Sequence, residues 1–134
     1  MRERIKKFIA IVLAIVVMNQ LPGFDTLISF AVDIDSYTSI TENSEDTYVL
    51  GSGGCTLDIA SGVTVAEVEV KGDNTYTIEN GGTVNSIAIS NGTTNLNGGS
   101  YGTITTIQGP EGVGVIASGI TANSIVANGP IQFN

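Results

Sequence analysis

Ile59-Ala60-Ser61-Gly62-Val63-Thr64-Val65 returns almost unchanged as Ile116-Ala117-Ser118-Gly119-Ile120-Thr121-Ala122. Between the two copies stand Ile78-Glu79-Asn80-Gly81-Gly82-Thr83-Val84 and a looser version running from Leu96 to Ile104. Each is followed at one offset by a further apolar residue, in Val65-Ala66-Glu67-Val68, Val84-Asn85-Ser86-Ile87, Ile104-Thr105-Thr106-Ile107 and Ala122-Asn123-Ser124-Ile125. These tetrads begin at 65, 84, 104 and 122, so the intervals are 19, 20 and 18 residues. A short, regular period of this kind marks a stacked-repeat architecture.

Within one repeat the apolar residues alternate. Leu57 with Ile59, Val63 with Val65, and Val68 with Val70 are pairs at spacing two, which sets both members on one face of a strand. Ser61-Gly62 and Gly72-Asp73-Asn74 supply turn residues, and a tighter bend falls near Ala66-Glu67. The density of Gly, Thr, Val and Asn disfavours helix. The reading is an all-β parallel β-solenoid with coils of about nineteen residues, each coil built from three short strands. One coil alone buries too little apolar surface to offset the ordering of its backbone, so the coils must stack. The expected inward columns are Val65, Val84, Ile104, Ala122 and, beside it, Val68, Ile87, Ile107, Ile125. A third begins Ile59, Ile78, Leu96 and continues with either Val115 or Ile116. Residues 56–134 make about four such coils and a partial fifth.

Upstream of the repeats the composition changes. Arg2, Arg4, Lys6 and Lys7 precede an apolar run from Phe8 to Met18, followed by Pro22-Gly23 and Ser29-Phe30-Ala31. The run is shorter than a membrane span and has the length and flanks of a signal peptide. Residues 1–31 are therefore expected to be a signal-peptide helix cleaved after Ala31, the alternative being an uncleaved N-terminal anchor. This stretch resembles the export signals of secreted Gram-positive proteins. Without it, Lys71 alone opposes Asp33, Asp35, Glu42, Glu45, Asp46, Asp58, Glu67, Glu69, Asp73, Glu79 and Glu111, a net charge of −10. A surface so acidic repels phosphate, which excludes nucleic acid as a partner. It leaves the membrane only the signal segment as a point of contact. Residues 32–55 do not follow the period and are expected to form an acidic N-terminal cap or linker that covers the first coil, with Tyr48 and Leu50 in a partial coil; the alternative is a disordered acidic leader. Cys55 is the only cysteine, so no internal disulfide forms, and its expected role is that of a small buried apolar residue.

The segment from Glu79 to Gly92, with its Gly81-Gly82-Thr83-Val84 motif, resembles the strand-loop-strand repeats of bacterial autotransporter adhesins, best over residues 79–104 and loosely over 56–134. The resemblance implies a surface-exposed, adhesive or stalk-like role.

Candidate chemistry is sparse. Glu67 and Glu69 share a strand face about 7 Å apart, the separation of a hydrolytic carboxylate pair. Their expected counterparts in the following coils are Ser86, Ala88, Thr106 and Gln108, which build no cleft around them. No Arg remains after residue 31 to serve as a lyase base, and Lys71 sits beside a turn glycine. Asp33, Asp35, Glu42, Glu45 and Asp46 offer oxygen ligands suited to calcium but no calcium-loop motif, so no metal or cofactor is expected. Tyr76 falls on the inward register. Of the remaining aromatics Tyr37, Tyr48 and Tyr101, Tyr101 is the candidate ligand contact, because it lies in an expansion of the third repeat that should loop outward. A stacked Thr ladder suited to ice is not found, the relevant column reading Asp58, Thr77, Asn95.

Taken together, the residues indicate a secreted or cell-surface, adhesin-like solenoid rather than an enzyme. Its expected partners are a host or cell-wall glycan or protein. The alternatives are a carbohydrate-binding module or a degenerate polysaccharide lyase-like β-helix. Ile131 and Phe133 begin a fifth coil that breaks off at Asn134, so the expectation is either a longer surface protein or end-to-end self-association.

Overall fold

The computed structural model describes residues 29–107 and 114–134; the proposed signal segment lies outside the described residues except for its last three positions. Twelve strands are described: β1 (Ala31–Ile34), β2 (Thr38–Ile40), β3 (Ser44–Leu50), β4 (Thr56–Ile59), β5 (Thr64–Val70), β6 (Thr75–Asn80), β7 (Thr83–Ile89), β8 (Thr93–Asn97), β9 (Ser100–Thr106), β10 (Gly114–Ser118), β11 (Thr121–Ala127) and β12 (Ile131–Phe133). Odd-numbered strands form one six-stranded sheet in the order β1-β3-β5-β7-β9-β11, and even-numbered strands form a second, β2-β4-β6-β8-β10-β12. Every pairing is parallel. The chain thus winds through one sheet and then the other in each coil, and the core lies between them.

The ladder does not stop at the strand ends. Lys71 N donates to Leu50 O at 2.9 Å, Ser90 N to Val70 O at 2.9 Å and Ile107 N to Ile89 O at 2.9 Å, while at the other edge Thr83 N reaches Val63 O at 2.9 Å and Ser100 N reaches Gly82 O at 3.0 Å. Backbone groups at these corners are paired coil to coil, as buried polar groups require.

Each coil holds two strands, not three. Val65 and the Val68–Val70 pair belong to one seven-residue strand, β5, with two residues between the inward Val65 and Val68. The ladder pairs Val65 with Val84 and resumes at Glu67 with Ser86, leaving Ala66 out. The bend expected near Ala66-Glu67 is therefore a kink inside a strand. The same kink recurs at Asn85 and Gly102. A Cβ on Gly102 would come 2.3 Å from the Asn85 carbonyl oxygen, so this position has room only for glycine.

The stack begins earlier than the period suggested. Residues 32–55 were expected as a cap or linker, yet β1 pairs with β3, β3 with β5 and β2 with β4. Ile34, Ile40 and Leu50 enter the core. The acidic residues masked this, because they occupy outward positions on unequal coils. The inward partners Ile34, Leu50, Val70, Ile89, Thr106 and Ala127 are separated by 16, 20, 19, 17 and 21 residues.

Two columns also differ from expectation. The first reads Val65, Val84, Tyr101, Ala122, and the second Tyr48, Val68, Ile87, Ile104, Ile125. Tyr101, not Ile104, stands over Val84, and Ile107 lies outside the core, half exposed. The ring fits because its column neighbours, Val84 and Ala122, are small; this volume exchange keeps the interior filled. On the second sheet the column is Leu57, Ile78, Leu96, Ala117, Phe133, while Ile59 stands between Ile40 and Asn80. Val115 points inward over Thr94, and Ile116 points away from the core.

Val84 is fully buried between Val65 and Tyr101. Val84→Asp places an unpaired carboxylate there and should destabilise the fold by about 4 kcal/mol or more. Urea unfolding followed by circular dichroism measures it; a loss below about 1 kcal/mol would contradict the column.

Candidate functional site

Tyr101, the expected ligand contact, is 1% exposed and part of the core. The outward loop predicted for it does not exist: Gly98-Gly99 turns the corner and Ser100 starts β9 at once. Burial, the largest influence, pushes the phenol well above its ordinary range. Its hydroxyl lies beside Asn80 but finds no hydrogen-bond partner of ordinary geometry. Asn80 is itself buried and committed to the backbone, its Nδ2 donating to Ser100 O at 3.2 Å and its Oδ1 accepting from Gly82 N at 2.9 Å. Asn80 therefore fastens one coil to the next across the Gly-Gly corner. No sequence signal singles Asn80 out; its stacking over Ile59 marks it as inward.

The other aromatics divide differently. Tyr48 packs partly against the core and donates to Ser44 Oγ at 2.9 Å. Tyr37 is 63% exposed, and its hydroxyl donates to Asp58 Oδ2 at 2.7 Å. That hydrogen bond is the main reason its phenol titrates above the usual value.

Outward carboxylates stand in ladders. On the second sheet Ser39, Asp58, Glu79, Asn97 and Ser118 occupy successive coils. Asp58 and Glu79 are direct partners, one strand spacing of about 4.8 Å apart. Each is held by a donor on its far side: Tyr37 for Asp58, and Asn97, whose Nδ2 donates to Glu79 Oε1 at 2.8 Å. On the first sheet Glu67 accepts from Thr47 Oγ1 at 3.1 Å, and Glu69 forms a 2.7 Å ion pair with Lys71. The counterparts of Glu67 and Glu69 in later coils are Ser86 and Ala88, then Thr103 and Thr105, correcting the Thr106 and Gln108 expected. Thr106 faces the core, and Gln108 lies outside the described residues. The Thr77 column likewise reads Thr56, Thr77, Asn95, Ile116 rather than starting at Asp58.

Among the described residues, no three histidine, cysteine or carboxylate side chains come together as metal ligands do. Of the acidic group in residues 33–46, Asp46 accepts from Phe30 N at 2.9 Å. Cys55 is a buried free thiol whose pKa is raised by burial first and by nearby Asp35 second. Among the described residues no helix is long and apolar enough to cross a membrane.

No protein-family model, no curated protein and no solved structure matches this chain. The parallel β-solenoid is the class of protein that the fold itself defines.

Because its buried hydroxyl is unpartnered, Tyr101→Phe should leave stability unchanged or raise it by about 1 kcal/mol, while Tyr101→Ala should cost about 3–5 kcal/mol. Thermal or urea melts of the two variants separate a core aromatic from a surface one, for which both changes would be near neutral.

Proposed function

We propose that this protein is a secreted or cell-surface structural solenoid, adhesin-like in role, that presents its acidic outer ladders to a glycan or protein partner. The observation that carries this reading is the engagement of its carboxylates with neighbouring side chains. Asp58, Glu67 and Glu79 each bind a donor from an adjacent coil, and Glu69 binds Lys71. Side chains used in this way hold the rod together and keep its wall solvated.

The same contacts argue against the lyase-like alternative. A base must lose its proton at working pH, whereas the hydrogen bond and charge of Glu69 raise the pKa of Lys71 and keep it protonated. Glu67→Gln should accordingly leave stability within about 0.5 kcal/mol and should abolish no glycan-cleaving activity. The carbohydrate-binding alternative now rests on Tyr37, an exposed ring beside a carboxylate, and no longer on Tyr101. A glycan screen of the chain and its Tyr37→Ala variant tests it.

Surface display has a direct test. Lys71 is the only lysine after the proposed signal, and its side chain is 59% exposed. A membrane-impermeant amine reagent applied to intact cells should label it. Labelling only after lysis would refute the location.

A further inference from the structure

Asn-Gly pairs stand at four corners of the solenoid: Asn80-Gly81, Asn91-Gly92, Asn97-Gly98 and Asn128-Gly129. The first three lie inside the stack, with coils on either side, and Asn128 lies in the last described coil. In each pair the glycine carries no Cβ, which leaves its nitrogen open to the side-chain amide before it. By sequence the pairs are equal, but the fold separates them. Gly81 N donates to Ile59 O at 2.8 Å and Gly98 N to Ser118 O at 2.8 Å, so a neighbouring coil holds both nitrogens. Their asparagines are engaged as well, Asn80 Nδ2 on Ser100 O at 3.2 Å and Asn97 Nδ2 on Glu79 Oε1 at 2.8 Å. Gly92 N instead donates to Oδ1 of its own neighbour Asn91 at 3.0 Å. The Gly92 carbonyl is anchored by Gly114 N at 3.2 Å, and its φ of 69° is one that glycine adopts freely. The nitrogen is thus held against the Asn91 amide, in a half-buried corner that water can reach.

We propose that Asn91 is a site of spontaneous deamidation, selected by the fold over Asn80 and Asn97. Gly92 N gives up its proton to solvent base and bonds to Cγ of Asn91. The Cγ–Nδ2 bond then breaks, and Nδ2 leaves with a proton from water as ammonia. Water opens the resulting succinimide at either carbonyl carbon, giving aspartate or isoaspartate at position 91. Only water is consumed, and no electrons change hands. Proximity favours the ring closure, because nucleophile and amide are already in contact. At Asn80 and Asn97 the glycine nitrogen must first leave a ladder bond.

Either product alters the rod. Beyond Glu79 no described residue has a charged side chain, so an aspartate here is the first. Isoaspartate lengthens the backbone just ahead of β8, whose pairing starts with Thr93 N on Asn74 O at 2.9 Å. A Cβ on Gly92 would come 2.4 Å from that same oxygen, so the corner has little slack for a longer chain. Loss of ammonia makes the change one-way, a slow clock built into a middle coil. The inference goes beyond the surface-display reading, since the chemistry needs only water and holds wherever the protein resides.

Peptide mass mapping of the purified full chain, sampled during incubation at mildly alkaline pH, reads the three positions separately. Asn91 should convert at least about tenfold faster than Asn80 and Asn97, the factor that one ladder bond supplies. In urea, where the coils are lost, the three rates should converge. Asn91→Gln keeps an amide but requires a larger ring, and it should remove the conversion at position 91 with the fold intact by circular dichroism. Asn91 converting no faster than Asn80 and Asn97 in the folded chain overturns the proposal. So does a preference for Asn91 that persists unchanged in urea, which would place the selectivity in local sequence. Conversion at position 91 that continues at the same rate in Asn91→Gln overturns it too, because the five-membered ring is then not the route.

Discussion

Each described coil but the last is covered by the next through parallel backbone pairing, and little else in the structure stands without that cover. The ladder continues around the corners, where amide groups such as those of Lys71, Thr83 and Ser90 reach carbonyls one coil earlier. The interior follows from the same constraint. Side chains that share a register position lie about 4.8 Å apart, so each must accommodate its upper and lower neighbours. Tyr101 is tolerated between Val84 and Ala122, and Tyr76 stands beneath the smaller Thr94. The interior also bears a cost, since the hydroxyls of Tyr76, Thr94 and Tyr101 are buried without partners.

Stacking has a second consequence on the outside. A solenoid lays outward residues over one another at strand spacing, so an acidic chain runs the risk of stacked like charges. Asp58 over Glu79 is such a pair. The chain manages it by giving each carboxylate a hydrogen-bond donor on the side away from the other, Tyr37 and Asn97. Elsewhere acids are followed by small or hydroxyl residues, as Glu67 is by Ser86 and Thr103. This division of labour links architecture to the proposed role. On the outer wall Asp58, Glu67, Glu69 and Glu79 each engage a neighbouring side chain.

The two tips of the stack obey the same rule with opposite results. At the first coil Ile34 and Ile40 are buried, whereas at the last described coil Ile125 and Phe133 are exposed, and no charged side chain occurs from Val115 to Asn134.

From the sequence by itself, the repeat, its period and the parallel solenoid class were legible, because inward positions alternate and glycine-rich corners recur. Val65 over Val84 and Val68 over Ile87 could be read directly, since both members are aliphatic and the spacing is regular. The register of the third repeat could not. Thr103-Ile104 imitates Thr83-Val84 as a motif, and only packing decides that a tyrosine takes the valine's place while Gly102-Thr103-Ile104 continues in step with Asn85-Ser86-Ile87. Of the coil that carries Asp33 to Leu50 only Tyr48 and Leu50 could be read: outward residues are free to vary, and here they vary toward acids and a different turn length. Tertiary structure alone decided the fate of Tyr101 and Asn80, because whether a polar side chain points inward depends on which residues stand one coil above and below, and that relation links positions some twenty residues apart.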